Sequence, residues 1–174
     1  LMCDIDLDNH DFMSINNAGA EFDGCGHTIR GLHAVSSGAY TGLFKKTSTN
    51  CTIKNLTIED AVIKNTSTSS DCEAGILMGY ATVENCYVSG EIVGKNAVRY
   101  AGGLIGDIHS SGSVSIRSCY ANPQIIGITS NGFAGGLVGW TGGTTTIENS
   151  YAVVDMDVDK GDYIGGLVGC GSDS

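Results

Sequence analysis

Proline is almost absent, one residue in 174, and no stretch carries the 3.6-residue apolar spacing of an amphipathic helix. No apolar run approaches the roughly 18 residues that cross a bilayer, and no basic stretch leading into an apolar one opens the chain. The segment therefore reads as soluble, without membrane insertion, and any export signal is expected upstream. Basic residues are few: 9 Lys and Arg against 19 Asp and Glu leave a formal charge of -10. A phosphate backbone would be repelled, so nucleic acid is not expected as a partner. The seven cysteines, Cys3, Cys25, Cys51, Cys72, Cys86, Cys119 and Cys170, contain no Cys-x-x-Cys pair and are odd in number. Neither a zinc site nor a complete disulfide framework follows, and they read mainly as small core residues. His10, His27, His33 and His109 contain no His-Glu-x-x-His and no zinc-like spacing. A histidine metal site would need convergence from distant parts of the chain, and His27 reads as a structural hydrogen-bonding residue.

What is abundant is glycine, 26 residues, and it is periodic. One unit reads Gly75-Ile76-Leu77-Met78-Gly79, Gly102-Gly103-Leu104-Ile105-Gly106, Gly135-Gly136-Leu137-Val138-Gly139 and Gly165-Gly166-Leu167-Val168-Gly169, with a degenerate copy at Gly42-Leu43-Phe44. A second follows the copies at Gly42, Gly75, Gly102 and Gly135 in turn: Ile53-Lys54-Asn55-Leu56, Val83-Glu84-Asn85-Cys86-Tyr87, Ile116-Arg117-Ser118-Cys119-Tyr120 and Ile147-Glu148-Asn149-Ser150-Tyr151. A looser apolar stretch closes each copy at Ala61-Val62-Ile63, Glu91-Ile92-Val93, Gln124-Ile125-Ile126 and Asp155-Met156-Asp157-Val158. These glycines are not phosphate loops, because no Gly-Lys-Ser/Thr ending and no following helix accompany them.

Short β-branched segments bounded by Gly, Asn, Ser and Thr are strands, and three per copy with no helix between them bury their apolar faces only by coiling. The expected fold is all-β: a right-handed parallel β-helix (β-solenoid) of about four coils with three short strands each. Residues 1–41 are expected to form an N-terminal lead-in coil, and residues 42–174 the repeats, which stop after the first strand of a further copy. Ile53, Val83, Ile116 and Ile147 would face inward. Asn55, Asn85 and Asn149 would occupy a left-handed corner and stack as a side-chain ladder, with Ser118 as the departure. Cys86 and Cys119 would be inward neighbours, with Cβ vectors too nearly parallel to favour a disulfide.

The Gly-Gly-Leu-Val-Gly strands alternating with the Ile-Glu-Asn-Ser/Cys-Tyr strands resemble the GLUG repeat of large secreted or cell-surface bacterial proteins. The likeness runs from Gly42 to Gly169. Asp4-Ile5-Asp6-Leu7 and Phe22-Asp23-Gly24-Cys25-Gly26-His27-Thr28-Ile29 resemble the lead-in of the same proteins, where Asn usually stands in place of Cys25. The resemblance implies an extracellular or cell-surface β-helix in an adhesin-like or stalk-like position, sometimes in one polypeptide with a secreted peptidase. It implies no catalytic residue within the repeats.

Two surface features follow from strand parity. Tyr87, Tyr120 and Tyr151 fall outside in one column, continued above by Thr57, and are the candidate ligand-binding residues for a host protein or glycan. The same stacking also supports the strands directly. Asp155, Asp157 and Asp159 share one outer face and are the weak calcium candidates, with Lys160 the nearby basic residue by sequence; no other cofactor is expected. The leading reading is a non-catalytic surface or spacer module of a larger exported protein. The alternatives are a carbohydrate-active β-helix and a docking or spacer segment of a secreted peptidase. The cut C-terminal edge is a candidate surface for end-to-end self-association.

Overall fold

The computed structural model describes residues 1–16, 19–45, 51–78, 80–94, 97–109, 113–158 and 163–171. Within them every regular element is a strand, and every strand pairing is parallel. The chain coils into a β-solenoid of about five turns, four sheets running along its length.

The first sheet stacks Glu21–Asp23, Cys51–Lys54, Ala81–Glu84, Ser113–Arg117 and Thr144–Glu148. Its inward column, Phe22, Ile53, Val83, Ile116 and Ile147, is in strict register, so each β-branched side chain sits on its counterpart one strand away. Outward, the same register stacks Asp23, Lys54, Glu84, Arg117 and Glu148, charges alternating in sign. Lys54 Nζ lies 3.6 Å from Asp23 Oδ2, and Arg117 bridges Glu84 at 3.6 Å and Glu148 at 2.9 Å. Exposed pairs of this kind add little stability each, but a slip by one turn would place like charges together.

At the end of this sheet the backbone turns through a left-handed residue: φ is 53° at Asn55, 51° at Asn85, 52° at Ser118 and 51° at Asn149. Leu56, Cys86 and Cys119 then point inward and are buried. The second, longest sheet follows with Thr28–Arg30, Thr57–Asn65, Tyr87–Val93 and Tyr120–Ile126, then Tyr151–Ala152 and Asp155–Asp157. Its core columns are Ile29, Ile58, Val88 and Ala121, and Ala34, Ile63, Ile92 and Ile125. These are at most 4% exposed, each large aliphatic one contributing about 1.5–3 kcal/mol by leaving water.

The turn beginning at Cys51 has the expected three described strands, but the turns beginning at Ala81 and Ser113 carry four, because there the glycine unit is a bend between two strands. Val98–Gly102 ends at Gly103-Leu104, and Ile105–Ile108 runs on from it; Phe133–Gly135 and Val138–Thr141, then Tyr163–Gly165 and Val168–Gly171, repeat the arrangement. The reason is space. A Cβ at Gly106 would lie 2.8 Å from Ala74 N, Ala74 O and Tyr100 O, and one at Gly139 would lie 2.7 and 2.8 Å from Ala101 N and O. The two strands therefore pack backbone against backbone in a sharp notch, while Leu77, Leu104 and Leu137 turn into the core. The lead-in residues 1–41 also form more than one incomplete coil. Ile5–Asp6 pairs with Thr28–Arg30, and Glu21–Asp23 with Cys51–Lys54, which brings the solenoid to about five turns instead of four.

All seven cysteines are free, and Cys51, Cys72, Cys86 and Cys119 are buried. His27 Nδ1 lies 3.1 Å from Asp4 Oδ1, whose carboxylate also accepts the Thr28 N–H at 3.0 Å.

Candidate functional site

Tyr87, Tyr120 and Tyr151 form the outward column that strand parity requires, in register with one another and with Thr57. Ring centroids are 4.9 and 4.5 Å apart, at interplanar angles of 26° and 37°. Tyr87 and Tyr120 are half-buried and Tyr151 is 61% exposed. Partial desolvation, then the flanking phenols of Tyr87 and Tyr151, pushes the Tyr120 hydroxyl above its ordinary pKa. It stays a neutral donor and acceptor at the rim of an apolar stack, a combination suited to a sugar ring or a peptide.

The other residues singled out from sequence sit as follows. Asn85 Nδ2 donates to Asn55 Oδ1 at 3.3 Å, and Asn55 Nδ2 donates to Asp23 Oδ1 at 3.1 Å. The corner ladder thus runs Asp23, Asn55, Asn85. Asn149 keeps the left-handed backbone, but beyond Ser118 no described hydrogen bond joins its side chain to the ladder; there Ser150 Oγ accepts the Cys119 N–H at 3.0 Å instead. Asp155 and Asp157 are exposed, while Met156 and Val158 face the core. Asp155 Oδ2 accepts a hydrogen bond from Gln124 Nε2 at 3.4 Å. Asp159 and Lys160, like Gly79 of the repeat, lie outside the described residues.

The notch between the third and fourth sheets holds a denser set of functional side chains. On one wall Tyr40, Glu73, Tyr100, Phe133 and Tyr163 stand in register. Tyr100 and Phe133 stack at 5.3 Å and 10°, and Phe133 and Tyr163 at 4.8 Å and 11°. The Arg99 guanidinium lies 5.2 Å from the Tyr100 ring centre and 5.7 Å from that of Phe133, and its Nη1 donates to Asp71 Oδ1 at 3.1 Å. A polar groove of about 320 Å³, lined by Ser70, Asp71, Arg99, Thr129, Ser130 and Asn131, runs alongside. On the other wall Asp107, Trp140 and Cys170 are in register.

Where the walls meet, Glu73, Asp107 and His109 bring one ligand atom each to within 4.8 Å of one another. Glu73 is 5% exposed and Asp107 is fully enclosed. Neither Asp107 oxygen accepts a hydrogen bond among the described residues; the His109 Nδ1 lies 3.4 Å from Oδ2. Burial pushes the Asp107 carboxyl up to about 6, with His109 opposing and Asp71 adding to the rise. Tyr80 stacks on the His109 ring at 6.1 Å and 16°, Trp140 meets it edge-on at 6.1 Å and 79°, and Trp140 also lies 6.1 Å from Tyr100. Burial, followed by the charges of Glu73 and Asp107, raises the Tyr80 phenol far above its ordinary value.

Sequence reasoning missed this second aromatic column and the carboxylates within it. The signal was present: Tyr100, Phe133 and Tyr163 each precede the opening glycine of a repeat by two residues, and Tyr40 and Glu73 occupy the same place. Paired carboxylates beside aromatic rings are also what a carbohydrate-active β-helix would use. Here both carboxylates are too enclosed for a glycosidic oxygen to reach them.

No family model matches the chain, and no solved structure matches it significantly. Over 96 residues, 53% of this chain, it is 35% identical to Halomucin of Haloquadratum walsbyi (strain DSM 16790 / HBSQ001). The chain spans about 1% of the length of that curated relative, so what is similar to this solenoid is a short stretch of a very long polypeptide.

Proposed function

We propose that this chain is a non-catalytic surface or spacer module of a larger exported protein, a GLUG-type solenoid that holds its outer faces toward a host glycan or protein. The observation carrying this reading is the parallel strand stacking that continues through the described residues from Ile5 to Gly171, with register shifts only at Val88/Gly90 and Val98/Tyr100. It makes a stiff rod about 25 Å long at roughly 4.8 Å per turn and lays its aromatic side chains out in columns. The resemblance to a stretch that is 1% of Halomucin fits a module embedded in a far longer chain. An extracellular or cell-surface location belongs to the same reading.

The two aromatic columns are the proposed contact surfaces, and the one at Tyr100, Phe133 and Tyr163 has a specific advantage. It borders the polar groove at Ser70, Asp71, Arg99 and Asn131, so apolar ring faces and hydrogen-bonding groups lie side by side, as sugar recognition requires. The test is a glycan and host-protein array of the purified chain, with and without calcium. It is then repeated with the triple alanine variants of Tyr87, Tyr120 and Tyr151 and of Tyr100, Phe133 and Tyr163. Reproducible binding lost in one variant while β-structure is kept supports presentation by that column. Binding unaffected by either variant removes both columns as the contact surface, and silence of the folded protein leaves the spacer role alone.

A further inference from the structure

We propose that Glu73, Asp107 and His109 form a binding site for a divalent transition-metal ion of the zinc class, with His109 coordinating through Nδ1. Asp107 sits in the backbone-against-backbone notch fully enclosed, and neither of its oxygens accepts a hydrogen bond among the described residues. An enclosed carboxylate in that condition is costly unless something positive meets it. Glu73 stands beside it, almost as buried. With a second carboxylate at this side, the enclosed Asp107 faces a pocket of negative charge that one divalent ion would neutralise.

Geometry and ligand chemistry select the class. Asp107 Oδ2 and His109 Nδ1 are 3.4 Å apart, close to the ligand-to-ligand edge of about 3.3 Å in a tetrahedron with 2.0–2.1 Å bonds. All three ligand atoms lie within 4.8 Å of one another. The His109 side chain is 57% exposed, so the set opens to solvent on that side. One imidazole with two carboxylates suits zinc, cobalt or manganese better than calcium, which prefers six to eight oxygens. Tyr80 stacked on the imidazole and Trp140 at its edge hold the ring plane, the orienting role that outer partners play around metal ligands. Three protein ligands leave a fourth position for water.

The test uses the whole chain, stripped with chelator and kept reduced, titrated with Co²⁺ and with Zn²⁺. Visible d–d absorption reports a nitrogen and oxygen ligand set, while thiolate charge-transfer bands in the near ultraviolet would reveal binding at the exposed Cys3 or Cys25 instead. One equivalent of Co²⁺ is expected to bind with d–d bands and no thiolate band, and Zn²⁺ is expected to displace it and raise the thermal midpoint. H109A, a change at an exposed side chain that leaves the core intact, and D107N, of the same shape, are each expected to weaken binding by at least about tenfold. Absence of binding tighter than about 1 mM, binding untouched by H109A, or a spectrum dominated by thiolate would overturn the assignment.

Discussion

Leu104, Leu137 and Leu167 occupy the same position in successive copies of the glycine unit, yet their surroundings differ. Leu104 and Leu137 are fully enclosed, whereas Leu167, in the last described turn, is 40% exposed. They belong to one column: Leu104 N donates to Leu137 O and Leu137 N to Leu167 O, both at 2.9 Å. Leu104→Ala removes a side chain with a turn above and below it, so the lost transfer free energy is joined by a cavity and the cost is about 3–4 kcal/mol. For Leu167→Ala about 60% of a transfer contribution of roughly 2 kcal/mol is at stake, and solvent fills the gap, giving about 1 kcal/mol. Urea unfolding followed by circular dichroism should place Leu104→Ala lower in midpoint by about 1.5 M at an m value near 2 kcal/mol/M, and Leu167→Ala by about 0.5 M. Leu137→Ala should match Leu104→Ala. Equal losses for Leu104→Ala and Leu167→Ala, with unchanged m, would refute the burial gradient. They would mean that the last turn is covered in solution, as end-to-end association of two chains would cover it.

Three further outcomes follow from local geometry. Gly136→Ala should cost upwards of about 2 kcal/mol, because its new Cβ would run into Gly166 O and Ala152 Cβ, while Gly166→Ala, whose Cβ would meet nothing, should be neutral or stabilising by up to about 1 kcal/mol in the same unfolding assay. Asn85→Ala, at φ 51°, should lose about 1–2 kcal/mol and Asn85→Gly should recover most of it, which thermal unfolding of the pair will read. The Asp4 carboxyl is held below its usual pKa of 3.8 by the Thr28 N–H and then His27, and that of Asp23 by the Cys25 N–H and then Asn55. Their stabilisation is therefore present above pH 3.8 and lost as pH falls through the lowered values, so Asp4→Asn with Asp23→Asn should flatten the decline in thermal midpoint on acidification to about pH 3.

The solenoid was legible because its causes are local and repeated. Inward β-branched residues at Ile53, Val83, Ile116 and Ile147, a left-handed corner two residues later and glycine at the sharp bend recur in one order, and repetition makes each local preference decisive. The tyrosine column at Tyr87, Tyr120 and Tyr151 was legible for the same reason, since parity along a strand and identity between copies suffice to place it. The Asn ladder was legible in its backbone but less in its bonds, because Ser118 is too short to carry the chain of amides to Asn149.

The sequence by itself determined the all-β class, the stacking of copies, the inward columns and the outward tyrosines, all of which depend on period and residue type. Only the tertiary structure decided that the glycine unit bends between two strands, because that depends on the backbone approach between Gly106 and Ala74. The bend in turn set Tyr100 against Trp140 and brought the buried Glu73 and Asp107 together with the exposed His109. Those three come from neighbouring turns and opposite walls of a notch. Such proximity has no period along the chain, and it arises only when the walls fold together.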